Sequence, residues 1–412
     1  MHAASPFRWC RAALLGAVAG AAALGCLILE CCPATPPDAC SYLANAAGSR
    51  SGGAAFLASY PTAGKGPLHD AAFLYDNALA AIALVGCGKP HEAARIGDAI
   101  LLALDHDRYW HDGRLRNAYQ AGPVGTGSVK LAGWWDAAQN RWVEDRYQVA
   151  SDSGNMAWAM LALLALDKAS GDRRYLEGAV RIGNRVSRWI TNNGPGGFSG
   201  GTLGYEPDPQ IEPWKSTEHN SDLAAAFTGL ARATGDRQWL VPARRAQKFV
   251  SAMWSAECDC FAAGTGEDGV TPNRLLALDA QVYPLLAITG ARKQYGAAQA
   301  TVERKLSDNG GLSYSDARAG LWTEGTAQFA LLAELSGRKN AANGLIQALS
   351  KVRAADGSYY ATDARELPTG LVLDTDSGQT RKYFHIPHLA ATAWVAIAER
   401  RYNPFTQTHE LP

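Results

Sequence analysis

The 412-residue chain has no net charge, since 39 Lys and Arg offset 39 Asp and Glu, and only 19% of its positions are charged. Without a surplus of either sign there is no chain-wide field to hold a nucleic acid or an anionic membrane surface, so neither is expected as a partner. No second pair of Cys or His stands at ligand spacing beside Cys258, which argues against a zinc site, and nothing in the chain calls for a metal or an organic cofactor. The Gly-rich run at 194–201 lacks both a Lys-Ser/Thr ending and a preceding strand, so it reads as a flexible rim loop and not as a phosphate cradle. What is present in quantity is apolar: 47% of residues are hydrophobic and twelve are Trp. That composition excludes disorder over most of the length, and Trp suits either a packed core or a groove that stacks sugar rings.

Residues 1–34 form a block of their own. Arg8 and Arg11 precede 18 uncharged residues from Ala12 to Leu29, and Pro33, Pro36 and Pro37 follow. This pattern predicts an export signal or an N-terminal membrane anchor with a Pro-rich linker, with lipidation at Cys26 as a third route. Each route places residues 35–412, read as a single catalytic domain, in the periplasm or outside the cell. Four cysteines remain beyond the block: Cys40, Cys87, Cys258 and Cys260. Cys258 and Cys260 flank one residue, too close for an unstrained bridge to each other, so Cys40 to Cys87 is the expected pair if a disulfide forms, with unbridged thiols as the alternative.

Beyond the linker one unit recurs: an Ala/Leu-rich helix opening on small or polar residues, a Gly stop, then an amphipathic helix. The openings align at Tyr75-Asp76-Asn77, Asp152-Ser153-Gly154-Asn155, Glu218-His219-Asn220-Ser221-Asp222, Leu278-Asp279, Thr323-Glu324-Gly325 and His385-Ile386-Pro387-His388. Partner helices read at 90–104, 174–190, 238–254, 293–306 and 340–352, and the stretch 39–60 supplies the sixth. The expected fold is therefore all-α, an (α/α)6 toroid of twelve alternating inner and outer helices. Units of about 45 to about 77 residues are too irregular for a short-period solenoid. Inner-helix N-termini share one face of such a ring, and the long joins at 105–150, 191–216, 257–277, 307–321 and 353–383 fall on the same face. Within the first join, Trp134-Trp135-Asp136 and Trp142-Val143-Glu144-Asp145 read as a short hairpin turning near 138–140.

The twelve-helix pattern over roughly residues 40–403, together with Trp322-Thr323-Glu324-Gly325-Thr326, resembles the six-hairpin glycosidase superfamily. The resemblance implies hydrolysis of a polysaccharide by carboxylates at inner-helix N-termini, with inversion. Hydrolysis needs one protonated carboxyl for the leaving oxygen and one ionised carboxylate to activate water, about 6.5–9.5 Å apart when the enzyme inverts. Glu218 heads the densest polar run and is the first candidate, as general acid; His219, Asn220 and Asp222 beside it are candidates for sugar hydroxyls. Glu324, flanked by Trp322 as a stacking platform, is the second, as base or second acid, and Asp152 is the alternative base. Crowded acids raise one another's pKa, which is what a neutral-pH acid requires. Asp76 is assigned to substrate binding and Asp279 is a further candidate carboxylate, although helix capping is the preferred reading of both. Trp134 and Trp135, with Trp142, are read as an aromatic wall; Tyr383 and His385 complete the binding set. His385 and His388 stand three apart in a presumed first helical turn containing Pro387, where capping or hydroxyl binding is preferred to metal ligation.

The reading is an exported glycoside hydrolase, acting as a monomer on a neutral glucan-like chain. The same toroid also carries lyases and epimerases, for which His219, His385 and Tyr383 would move protons. Uronate lyases need cations beside the acid, and only Lys215 and the Arg381-Lys382 pair stand near an opening. A non-catalytic carbohydrate-binding protein of an exopolysaccharide system is the remaining alternative.

Overall fold

The computed structural model describes residues 37–48, 52–374 and 379–412. The expected export signal or anchor at 1–34 lies outside the described residues. Among those described, no helix is long and apolar enough to cross a membrane.

Six helices form the inner ring: α2 (Leu74–Gly86), α4 (Ser153–Ser170), α6 (Thr217–Thr234), α8 (Leu278–Ala287), α11 (Thr323–Leu335) and α13 (Leu389–Glu399). Each packs on the next, and α13 returns to α2, so the ring closes. The outer layer is α1 (Ala39–Gly48), α3 (Pro90–Asp105), α5 (Arg173–Val186), α7 (Leu240–Ala252), the pair α9 (Ala291–Tyr295) and α10 (Ala298–Leu306), and α12 (Lys339–Leu349). The fold is the expected (α/α)6 toroid. Inner and outer helices differ for a physical reason: α4 is buried on nearly every residue from Ser153 to Asp167, because it meets two inner neighbours and an outer partner. In α5, by contrast, apolar Tyr175, Leu176, Ala179, Ile182 and Val186 face inward while charged residues such as Arg173, Arg174 and Glu177 occupy the other side.

Two outer-helix expectations need correction. The stretch 39–60 is helical only to Gly48; beyond it Ala55–Phe56 pair with Gly122–Pro123 as a short ladder. The helix expected at 293–306 starts earlier, at Ala291, and is broken by a turn at Gly296–Ala297.

The centre of the ring is plugged. Trp158 of α4, Tyr283 of α8 and Trp394 of α13 meet with ring centroids 5.8–5.9 Å apart, and Phe405 from the C-terminal segment lies 5.1 Å from both Trp158 and Tyr283. Tilted and edge-on aromatics fill the axis, so the space above them is closed at its base along the ring axis.

Strands come from the joins. The Trp hairpin forms as expected, β1 (Trp134–Asp136) with β2 (Arg141–Val143), setting Trp135 opposite Trp142. β3 (Ser151–Asp152), β4 (Gly201–Leu203) and β5 (Gln210–Glu212) make a three-stranded sheet that leads directly into α4. β6 (Glu366–Asp374) and β7 (Gln379–Phe384) pair antiparallel in the last of the long joins on the cavity side.

Cys40 and Cys87 are bonded, tying α1 to the end of α2. Cys258 and Cys260 are bonded as well, which overturns the expectation that they are too close. Asp259 between them takes a left-handed conformation (φ 51°) at a hairpin turn, and this holds the two Cα atoms 5.2 Å apart, inside the range a disulfide spans.

Candidate active site

A cavity of about 770 Å³ opens over the N-terminal ends of the inner helices. Asp76, Asp152, Glu218, His219, Asp279, Trp322, Glu324, Tyr383 and His388 line it, with Tyr75, Tyr147, Tyr283, Tyr314 and Arg381. Every inner helix therefore delivers an acid or an imidazole to one space. Side chains at the N-terminus of a helix sit where its unpaired N–H groups favour negative charge, which lowers the cost of burying so many carboxylates.

On one side, α2, α11 and α13 build a linked cluster. His388 is the N-cap of α13; its Nε2 is 3.1 Å from Asp76 Oδ2 and its Nδ1 is 3.4 Å from Glu324 Oε1. Tyr60 stacks flat on the imidazole at 4.4 Å. Tyr75 donates to Glu324 Oε2 at 3.0 Å and accepts from the Trp394 indole at 2.8 Å. Tyr283 lies 3.2 Å from the Tyr75 hydroxyl, and Gln328 donates to Tyr283 at 3.1 Å. With Gln328 and Trp394 as fixed donors, the hydroxyl protons line up toward Glu324. Burial pushes the Glu324 carboxyl up to about 7, with His388 opposing and Asp76 reinforcing. Burial alone would lower the His388 pKa, but Asp76 and Glu324 outweigh it and hold it above the ordinary value.

Across the cavity, α4, α6 and α8 build the second cluster. Asp152 caps α4, accepting from the Gly154 N–H at 2.9 Å, and lies 3.2 Å from His219 Nδ1. Gly154 is needed here, since a Cβ would sit 2.5 Å from the His219 ring. Burial lowers the His219 pKa, and Asp152 only partly restores it. Glu218 and Asp279, from successive inner helices, share a hydrogen bond between their carboxyls. The depth of the site, then the charges of Asp279 and Asp222, drive the Glu218 pKa well above the ordinary value. Asp279 is raised less, because Glu218 and the Ala280 N–H (2.8 Å) both donate to it. Burial and the neighbouring charges thus raise both members of the pair, which titrates as a unit.

Between the clusters stands Arg381 of β7, whose guanidinium lies 5.2 Å from the Tyr147 ring centre. Burial disfavours its charge, yet Tyr147, Tyr383, Tyr314 and Asp152 keep it firmly protonated. Trp322, Tyr314 and Tyr383 form an aromatic wall, with Tyr314 and Tyr383 4.8 and 5.5 Å from the Trp322 ring.

The structure thus brings Glu218, Glu324, Asp152, Asp76, His219, Trp322 and Tyr383 together, and removes five expected residues. Asn220 is fully buried and spends its amide on Phe198 and Ser216, fixing the 191–216 join to α6. Asp222 lies one turn below Glu218, outside the cavity lining; it is fully buried, and neither oxygen has a partner in hydrogen-bond geometry. Trp134 and Trp135 do not line the cavity, because their hairpin carries them outward, with Trp135 59% exposed. His385 is exposed, stacked on Tyr360 at 4.2 Å and bonded to the Thr362 carbonyl at 2.7 Å. Neither it nor His388 lies in a helical turn, since Pro387–His388 pair with Tyr359–Tyr360 as strands and α13 begins at Leu389. Lys215, weighed as a uronate ligand, is buried with Nζ on the carbonyls of Asn193 and Gly269 at 2.5 and 2.8 Å. Conversely, Asp279, for which a helix cap was the preferred reading, partners Glu218, and the tyrosines at 75, 283 and 314 carry no assigned role in the sequence reading. Their signal lay in position: Tyr75 immediately precedes Asp76 in its opening, and Tyr283 stands one turn after Asp279. Among the described residues no group of three or more His, Cys, Asp or Glu is disposed to hold a metal ion.

No protein-family profile and no curated protein sequence matches the chain. Solved structures do. A wild-type glycosidase is similar at 14% identity over 88% of this chain and 96% of that one, with a TM-score of 0.56. The GH76 α-mannanase of Bacteroides thetaiotaomicron is similar at 13% identity over 88% and 94%, with a TM-score of 0.55. A sugar epimerase from a ruminal bacterium is similar at 10% identity over 87% and 96%, with a TM-score of 0.62. At such identities the likeness establishes the shared toroid fold; chemistry rests on the site itself.

Proposed function

We propose that the protein is an exported glycoside hydrolase that cleaves a neutral polysaccharide through carboxyl general acid/base catalysis. The observation that carries the reading is two carboxyls of different electrostatics in one cavity: burial and the charges of Asp279 and Asp222 raise Glu218 well above the ordinary value, while burial pushes Glu324 up to about 7. A protonated carboxyl for the leaving oxygen beside one ionising near neutral pH is the pairing that glycosidic cleavage requires. Glu218 is the acid and Glu324 the base; after each turnover Glu324 releases to solvent the proton it took from water, and the Glu218–Asp279 pair takes one up from solvent. Asp152 holds His219 in place, and the wall of Trp322, Tyr314 and Tyr383 supplies apolar faces for sugar rings. The mannanase and glycosidase likenesses support a carbohydrate-active enzyme on this fold. Two disulfides support export, since such bonds persist in oxidising compartments.

The test is reducing-end release by the Pro37–Pro412 chain from neutral glucans and α-mannans, with E218Q and E324Q alongside and the anomer of the fresh product read by NMR. Activity lost in both variants with an inverted product supports the proposal in full; activity surviving both removes these two roles.

One observation favours a second reading. His219 on Asp152 and His388 on Asp76 are two carboxylate-backed imidazoles in the same cavity, an arrangement suited to removing and returning a proton beside a sugar carbonyl. Solvent deuterium appearing at C2 of a reducing-end sugar, without chain cleavage, would select that epimerase reading.

A further inference from the structure

A second cavity, of about 420 Å³, is contiguous with the first. Tyr147, Asp152, Glu218, His219, Asp279, Tyr314 and Arg381 line both, so the proposed acid faces both cavities. Its outer part is built by different elements: β4 and β5, the segment Pro213–Ser216, the loop around Gly264–Glu267 and, opposite, Gly370–Leu371 of β6. Either cavity alone is in the range that takes a small organic ligand.

The lining of the second cavity has a definite chemical character. Trp214 is half-buried, with its indole N–H donating to Glu212, which turns the Trp face and a carboxyl toward the same space. Burial raises the Glu212 pKa, the Trp214 hydrogen bond opposes it and the charge of Glu267 adds to the rise. Gln210, held to Arg146 at 3.3 Å, adds an amide. Lys215 contributes no cation, since its ammonium is fixed on backbone carbonyls. An aromatic face beside an amide, a carboxyl and the Arg146 and Arg381 guanidiniums offers donors and acceptors to the hydroxyls of a sugar ring. At the mouth stands Ile211, 70% exposed.

We infer that the substrate is a neutral glycan chain that crosses both cavities, with the cleaved bond over Glu218 and at least one sugar held by Trp214 and Glu212 beyond it, so that the enzyme cuts within chains. The inference rests on the hydrolase reading and specifies its substrate and mode. It gives Trp214, Glu212 and Ile211 a role in chain-length preference.

The test uses the wild-type Pro37–Pro412 chain, W214A and I211R, a graded series of oligosaccharides from whichever polymer is cleaved, and an aryl glycoside of the same sugar. The expected wild-type products are intermediate oligosaccharides at early times, with kcat/KM rising with chain length. In both variants the ratio of kcat/KM on long chains to that on the aryl glycoside falls at least tenfold. I211R adds bulk at an exposed position, so it keeps the test decisive if W214A misfolds. Release of monosaccharide alone from the first time point, or a ratio unmoved in I211R, overturns the inference while leaving hydrolysis intact. No turnover of any glycan by the wild type removes the hydrolase reading and this inference with it.

Discussion

The two ends of the inner helices are built from the same elements and are opposite in character. At the far end, α4 and α6 stop on Gly171 and Gly235 in the left-handed conformation, each donating its N–H to a carbonyl of the last turn, with open space around them. That is all a helix end requires. At the near end the openings carry Asp76, Asp152, Glu218, Asp279 and Glu324, a density of acid no capping need explains. Only Asp152 among them acts as an N-cap by side chain. The contrast teaches that helix termini here divide into ends that merely stop the chain and ends that store ionisable groups at a cost. Substitutions should separate the two.

The largest expected effect is at Glu218 and Glu324. Each Gln variant should lower kcat by roughly 10²–10⁴-fold, the range for removing one acid/base group, with the thermal transition retained. If both ends of the ring were equivalent, these losses would be no greater than for a surface change.

Next is stability against pH. Glu324 titrates at about 7 in the folded chain against an ordinary value of 4.5, so the folded state binds its proton more tightly than the unfolded state does. The contribution is therefore fully present below about pH 4.5 and is lost as pH rises through 7. Each pKa unit corresponds to about 1.4 kcal/mol, so the loss across this window is about 3 kcal/mol. E324Q cannot titrate and escapes it: its melting temperature should exceed that of the wild type at pH 8 and lose that advantage at pH 4.5. An equal gap at both pH values would refute the storage argument for this carboxyl.

A smaller effect concerns His388. Its positive charge pulls Glu324 downward, so H388Q should move the acid limb of kcat/KM, which reports Glu324 ionisation, to higher pH. A limb that stays put would mean His388 only caps α13.

Which end of the ring carries the site was readable from sequence because period and polarity agreed: Gly stops closed the helices at one end, and acids opened them at the other. Glu218 and Glu324 stood out for that reason. What stayed hidden depends on contacts between distant segments. Asp279 looks like a helix cap until α8 is laid beside α6, where Glu218 becomes its partner. Arg381 lies in a stretch whose Pro368 and Gly370 read as loop, although pairing of Glu366–Pro368 with Lys382–Phe384 makes it a strand that reaches the cavity. His388 was placed in a helix because Pro387 suits a first turn, and its pairing with Tyr359 moved the helix start beyond it. The outward course of Trp134 and Trp135 had no sequence signal, since a hairpin pattern fixes the pairing of two strands and not the direction in which they leave the ring.

The smallest expected effect is the control at the far end. Gly235 has φ 74° and nothing within 4 Å of the position a Cβ would take, so Ala there meets no steric clash and carries only the cost of a left-handed backbone. That cost is about 1–2 kcal/mol, read as a modest drop in melting temperature. Because Gly235 lies a full helix length from Glu218 on the same α6, kcat, KM and the pH profile of G235A should match the wild type once both are folded. A change in the pH profile would mean that strain at the stopping end travels along α6 to the carboxyls, and the division between the two ends would fail.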